Sequence, residues 1–145
     1  MDAFKKSFTK KKLSIMLVFS LISLFTSIII QYQESTKTVL VSTICRIGGS
    51  CQSVQDSIYG RIFGIPLAVY GIISFTILSA LIISELIKKQ DFQKEIIILA
   101  GLLGAMCAII FILIQAFILH QFCTYCMIAD TSCIILAGMI LFLKI

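Results

Sequence analysis

Four long apolar stretches, divided by short polar joints and one long polar segment, set the plan of the chain. Residues 13–33, 62–84, 96–119 and 121–143 contain a single charged side chain among them, Asp130. Each is at least as long as the roughly 20 apolar residues that cross a hydrocarbon layer about 30 Å thick. No alternation of period two runs through them, and they are too long for buried strands, so the pattern predicts four transmembrane helices.

Composition agrees. Of 145 residues, 59% are hydrophobic and 13% charged, with a mean hydropathy of +1.08. Soluble chains carry about 45–50% and about 25%. These values exclude a disordered segment, a coiled coil and a soluble enzyme. The net charge of +5 is gathered at the ends of the apolar stretches, which fits a membrane topology and not nucleic-acid binding.

Lys5, Lys6, Lys10, Lys11 and Lys12 precede the first stretch. That stretch is longer than the 7–15 residues of a secretory h-region, and no Ala-x-Ala-like site follows, so it is expected to stay as a signal-anchor helix. With the N-terminus cytoplasmic, the inner side holds those five lysines with Lys88, Lys89, Lys94 and Lys144, and the outer side only Lys37, Arg46 and Arg61. The positive-inside rule therefore puts both termini in the cytoplasm of a cell with the protein in its inner or plasma membrane. The expected organisation is a cytoplasmic tail over 1–12 and a membrane domain over 13–145, with a large outer loop at about 32–61. Residues 88–94 form a short inner link, and His120 with Gln121 a tight outer turn. Gly48, Gly49 and Gly60 mark turns in the large loop. Between them Ser50-Cys-Gln-Ser-Val-Gln can start a short amphipathic helix capped by Ser50 or Ser53. Gly101/Ala105, Gly104/Ala108 and Ala129/Cys133/Ala137 are small-residue pairs that let helices approach closely in lipid.

The chemistry lies in the cysteines. Of six, four fall on the outer side: Cys45 and Cys51 in the loop, Cys123 and Cys126 in Cys-Thr-Tyr-Cys at the start of helix 4. Residues i and i+3 share a helix face, so these two sulfurs can bridge. A helix N-terminus favours the thiolate, the nucleophile of disulfide exchange. Two outer pairs make a relay by way of a mixed disulfide. Two static structural disulfides and a four-thiolate zinc site are the alternatives that spacing leaves open. Cys107 and Cys133 sit mid-span among apolar residues and are expected to be buried, inert thiols.

Asp130 completes a 3-4-3 stripe with Cys123, Cys126 and Cys133 on helix 4, one turn below Cys126. A carboxyl within a span is costly and faces the protein interior. It is placed to relay a proton or donate a hydrogen bond, or simply to bond Gln115 of the neighbouring helix. Tyr59, Tyr70 and Tyr125 are candidates for an aromatic belt.

Cys45-x5-Cys51, then Ser57-Ile-Tyr-Gly-Arg-Ile-Phe-Gly-Ile-Pro66 and Gly71, then Cys123-x-x-Cys126, resembles the bacterial homologues of vitamin K epoxide reductase from Cys45 to about Asp130. The resemblance implies an all-α membrane protein. Its four-transmembrane-helix bundle surrounds a quinone site, with a short amphipathic helix in the large extracytoplasmic loop. It implies that Cys45 and Cys51 shuttle electrons from a protein substrate. Cys123 and Cys126 would lie beside the quinone, with Cys126 facing the ring and Ser57 supporting the site. Asp130 and Gln115 are the further expected contacts to the cofactor, a ubiquinone or menaquinone.

Many bacterial relatives carry a fused thioredoxin-like domain, whereas this sequence stops at Ile145, so a separate thioredoxin-fold (DsbA-like) protein outside the membrane is the expected partner. Animal members place a tyrosine where Asp130 stands, so plain quinone reduction is the expected chemistry. Two other classes stand beside this one. One is a conduit carrying electrons outward from cytoplasmic thiols; the other is a non-catalytic membrane subunit stapled by disulfides.

Overall fold

A computed structural model describes residues 2–36, 56–88 and 91–144. Helix α1 spans Asp2–Thr36, α2 Leu67–Ile87, α3 Asp91–Leu113 and α4 Thr124–Lys144. All four are long and apolar enough to cross a membrane. The chain is thus an all-α membrane protein built on four transmembrane helices, and both ends of the described chain lie at the same end of the bundle. Residues 2–12 of the expected 1–12 tail are the first turns of α1. The loop helix beginning near Ser50, Gly48, Gly49, and both Cys45 and Cys51 lie outside the described residues.

The helices bury their small and hydroxyl-bearing residues and expose their large apolar ones. Ser20, Ser23, Thr26 and Ser27 of α1 are buried, while Phe25, Phe117 and Phe142 are 65–73% exposed. This is the reverse of a soluble bundle and the pattern of one solvated by lipid, where packing and hydrogen bonds hold helices together. Some of the buried hydroxyls are satisfied in one of two ways, while Ser23 Oγ is buried with no partner among the described residues. Ser20 Oγ and Ser79 Oγ bond across α1 and α2 at 2.8 Å. Thr26 returns its hydroxyl to the carbonyls of Ile22 (3.1 Å) and Ser23 (2.9 Å). An interhelical bond of the first kind adds roughly 0.6 kcal/mol, and up to about 1.7 kcal/mol, in a membrane bundle.

Helix α1 packs against α2 and α4, and α3 against α4, whereas α2 and α3 barely touch. Close approach depends on two glycines. A Cβ on Gly71 would lie 2.8 Å from Ser27 Oγ, and one on Gly101 would strike the Ile140 side chain. Two apolar clusters close the bundle at opposite ends. Leu13, Met16, Leu78, Ile82, Ile97, Leu136 and Ile140 pack at the end that holds the described chain's first and last residues. Ile30, Cys123 and Tyr125 pack at the other.

The apolar run beginning at residue 62 does not enter a helix at once. Ser57 caps a one-turn 3-10 helix over Ile58–Gly60, its Oγ accepting the Gly60 N–H at 3.2 Å. Two short strands follow, β1 Arg61–Ile62 and β2 Ile65–Pro66, with Arg61 opposite Pro66 and Ile62 opposite Ile65. The turn needs two left-handed residues, Phe63 (φ 53°) and Gly64 (φ 78°). This is the mirror-image turn that fits the twist of a two-residue hairpin, and glycine takes it without strain. Pro66 then leads into α2. The Arg61 guanidinium donates to Glu34 Oε1 at 2.6 Å and ties the hairpin to the end of α1.

Candidate active site

Cys123 immediately precedes α4 and is its N-cap. The Cys126 N–H donates to the Cys123 sulfur at 3.3 Å, and the Met127 N–H donates to the Cys123 carbonyl at 2.9 Å. A sulfur here occupies the place that a serine or aspartate oxygen takes in an ordinary cap. It lies at the positive end of the helix dipole, where negative charge is favoured. The two cysteines have unlike surroundings. Cys123 is fully buried, packed with Ile30 and Tyr125. Cys126 is partly open and lines a cavity inside the bundle. Both are free thiols in this structure.

That cavity has a volume of about 640 Å³ and fills the space that sparse packing leaves between α2 and α3. Its walls are mostly apolar, among them Ile77, Leu78, Leu103 and Phe111. Its polar lining includes Ser57, Gln115, Cys126 and Asp130, with Ser27, Glu34 and Ser74 on the α1 and α2 walls. An apolar space of this size with few polar groups is what a small organic ligand requires. Asp130 Oδ2 is buried with no hydrogen-bond partner among the described residues. The expected bond between Asp130 and Gln115 is not formed; Gln115 Oε1 accepts the Cys123 N–H at 3.0 Å.

Gln115 reaches that position through a local irregularity. After Leu113 the helix widens into a π-helical turn, Ile114–Leu119. His120 ends it in the left-handed conformation (φ 49°). The Gln115 backbone carbonyl accepts the N–H groups of His120 and of Gln121, the latter at 3.2 Å. Its side chain, 2% exposed, turns inward to the Cys-x-x-Cys segment. Such single π turns are frequent at functional sites. The sequence marked Gln115 only by its polarity within a span.

Two expectations need correction. Cys107 is exposed, not buried, and borders the cavity; Cys133 is buried and borders it too. The face of α3 carrying Cys107 turns toward the gap that α2 leaves open. Tyr125 is buried at 7% exposure and so is no belt residue facing lipid. Tyr70 donates its hydroxyl to the Ile62 carbonyl at 3.3 Å, joining α2 to the hairpin. Among the described residues no cluster of cysteine, histidine and carboxylate suits a metal ion.

Four helices long and apolar enough to cross a membrane thus hold a Cys-x-x-Cys dithiol beside a mostly apolar cavity. The sequence matches the model of the vitamin K epoxide reductase family over residues 14–141, and the chain belongs to this family. It is therefore a membrane oxidoreductase of the kind that generates disulfides. No curated protein matches the chain.

Proposed function

We propose that the protein passes electrons from an extracytoplasmic thioredoxin-fold protein to a membrane quinone, and so sustains protein disulfide formation. The observation that carries this reading is the division of labour at the Cys-x-x-Cys: Cys126 lines the apolar cavity, while Cys123 does not and is buried against Ile30 and Tyr125. In this reading 13–145 is one functional domain, 1–12 a cytoplasmic tail, and the Cys-x-x-Cys end of the bundle faces out of the cell.

Residues of this chain suit a quinone ring. Cys126, Gln115, Asp130 and Ser57 would hold it against apolar walls, and the buried, unpartnered Asp130 Oδ2 is the group that lacks a ligand most plainly. A bound quinone supplies an acceptor for two electrons and two protons.

The thiols do the rest. A dithiol partner attacks the Cys45–Cys51 disulfide at Cys45 and releases the Cys51 thiolate. The partner's second thiol resolves that mixed disulfide and leaves the partner oxidised. Cys51 then attacks Cys123 of the Cys123–Cys126 disulfide and frees the Cys126 thiolate. Cys45 resolves the Cys51–Cys123 bridge, so the outer pair is again a disulfide and the inner pair a dithiol. Cys123 and Cys126 give up two electrons and two protons as their own disulfide re-forms. Asp130 is placed on the same helix stripe to donate a hydrogen bond or move one of those protons.

Reconstitution into liposomes with a quinone and a reduced thioredoxin-fold protein tests the reading. Quinone reduction that requires Cys45, Cys51, Cys123 and Cys126 together is the expected result. Reduction of outer proteins by thiols supplied from the cytoplasmic side would mark an electron conduit, and no redox activity at all would mark a stapled subunit.

A further inference from the structure

Gln115 occupies a joint that the electron relay does not account for. Two groups of this one residue accept three hydrogen bonds. Its backbone carbonyl accepts from His120 and Gln121, which closes α3, and its side-chain oxygen accepts from the Cys123 N–H, which opens α4. The residue is 2% exposed and lines the cavity. Because the oxygen must face the Cys123 N–H, the amide –NH2 is the end left for the cavity. Two N–H donors on a buried side chain, in an apolar space, call for an acceptor.

We propose that Gln115 is a positioning residue that joins the two halves of the site. One end of its amide fixes the backbone of Cys123, and the other presents a donor to a carbonyl oxygen of a quinone in the cavity. The inference rests on the quinone reading above, but its first half does not. The π turn at Ile114–Leu119 lets the Gln115 carbonyl accept from both His120 and Gln121, so the chain turns back beside this residue toward Cys123. The consequence is a linkage. A ligand that engages the –NH2 also orients the oxygen, and with it the turn that holds Cys123 in its buried seat beside Ile30 and Tyr125.

The test uses the full chain, reduced and freed of quinone. Gln115→Met keeps the length and loses both functions; Gln115→Glu keeps an acceptor and gives up the –NH2. Alkylation of Cys123 by a small thiol reagent is followed by mass spectrometry with Cys133 as internal reference, and binding of ubiquinone-1 is followed by thermal shift. In Gln115→Met, Cys123 should be alkylated about tenfold faster and the quinone bound about tenfold more weakly, the scale of one buried hydrogen bond. In Gln115→Glu, measured at pH 8, Cys123 should stay protected within about twofold while quinone affinity falls about tenfold. Unchanged Cys123 alkylation in Gln115→Met overturns the positioning role, and unchanged quinone affinity in both variants overturns the donor role. If Gln115→Met does not fold, Gln115→Glu decides by its affinity alone. A wild type that binds no quinone removes the quinone reading, and the alkylation comparison still decides whether Gln115 positions Cys123.

Discussion

The backbone N–H of Cys126 donates to the sulfur of Cys123 at 3.3 Å, so the first cysteine of the motif caps the helix that carries the second. The bond keeps one sulfur in a sealed seat at the head of α4 while the other borders the cavity. Exchange between the outer and inner pairs then requires the seat of Cys123 to open. Reaction at Cys126 requires no such movement.

Cys126→Ala is expected to abolish quinone reduction and to accumulate a Cys51–Cys123 bridge, formed when the Cys123 thiolate attacks Cys51 of the Cys45–Cys51 disulfide and releases Cys45, because Cys126 is no longer there to draw Cys123 back into their own disulfide. Non-reducing peptide mapping of the variant checks this. Only a Cys45–Cys51 bridge in that map would show that the order of transfer is wrong.

The two glycines of α3 separate packing from ligand space. A side chain at Gly101 meets Ile140, whereas one at Gly104 has no atom within 4 Å of its Cβ and points at the cavity. Gly101→Leu should cost about 1–3 kcal/mol of stability by overpacking, read as a lowered Tm. Gly104→Leu should fold normally and raise the quinone KM about tenfold, since it removes apolar space that the ring would occupy.

Asp130 offers three distinguishable outcomes. A proton-relay role makes both Asp130→Asn and Asp130→Leu slow in the chemical step. A hydrogen-bonding role leaves Asn near normal and raises the quinone KM in Leu. A structural role lowers Tm in Leu with ordinary kinetics in what remains folded. Its buried, unpartnered Oδ2 favours the hydrogen-bonding outcome. Near-wild-type quinone kinetics in a stable Asp130→Leu protein would remove it from the site.

Cys107 and Cys133 border the cavity without a place in the relay. The double replacement Cys107→Ala, Cys133→Ala should leave turnover within a few-fold of wild type. Loss of activity in a protein of unchanged Tm would reveal a third thiol pair taking part.

Much of this was legible in the chain. Hydropathy alone located the four helices, because each span must satisfy its backbone internally and hide its charges. The 3-4-3 spacing of Cys123, Cys126, Asp130 and Cys133 put them on one helix face, and the structure brings Cys126, Asp130 and Cys133 to one cavity. Other features depend on tertiary approach. Phe63-Gly-Ile-Pro is as apolar as a helix start, so the hairpin at 61–66 was hidden inside the second span. The π turn has no hydropathy signature, and without it Gln115 reads as a stray amide. Cys107 reads as a core thiol in the sequence, because the loose pairing of α2 with α3 is not visible in either helix alone.

Topology has its own check. A membrane-impermeant thiol reagent applied to reduced spheroplasts should label Cys45 or Cys51, as the placement of lysines requires. Labelling only after the membrane is opened would place the motif on the cytoplasmic side.

The most direct measurement of the central claim is an anaerobic single turnover. The fully reduced protein, with Cys45 and Cys51 replaced by Ala, is mixed with one equivalent of ubiquinone-1, and quinol is followed by absorbance while disulfides are mapped by mass spectrometry. The expected result is one quinol for each Cys123–Cys126 disulfide formed, with neither product in the Cys126→Ala derivative. Quinol formed without that disulfide, or equally in the derivative lacking Cys126, would contradict the claim that this dithiol is the electron donor at the cavity.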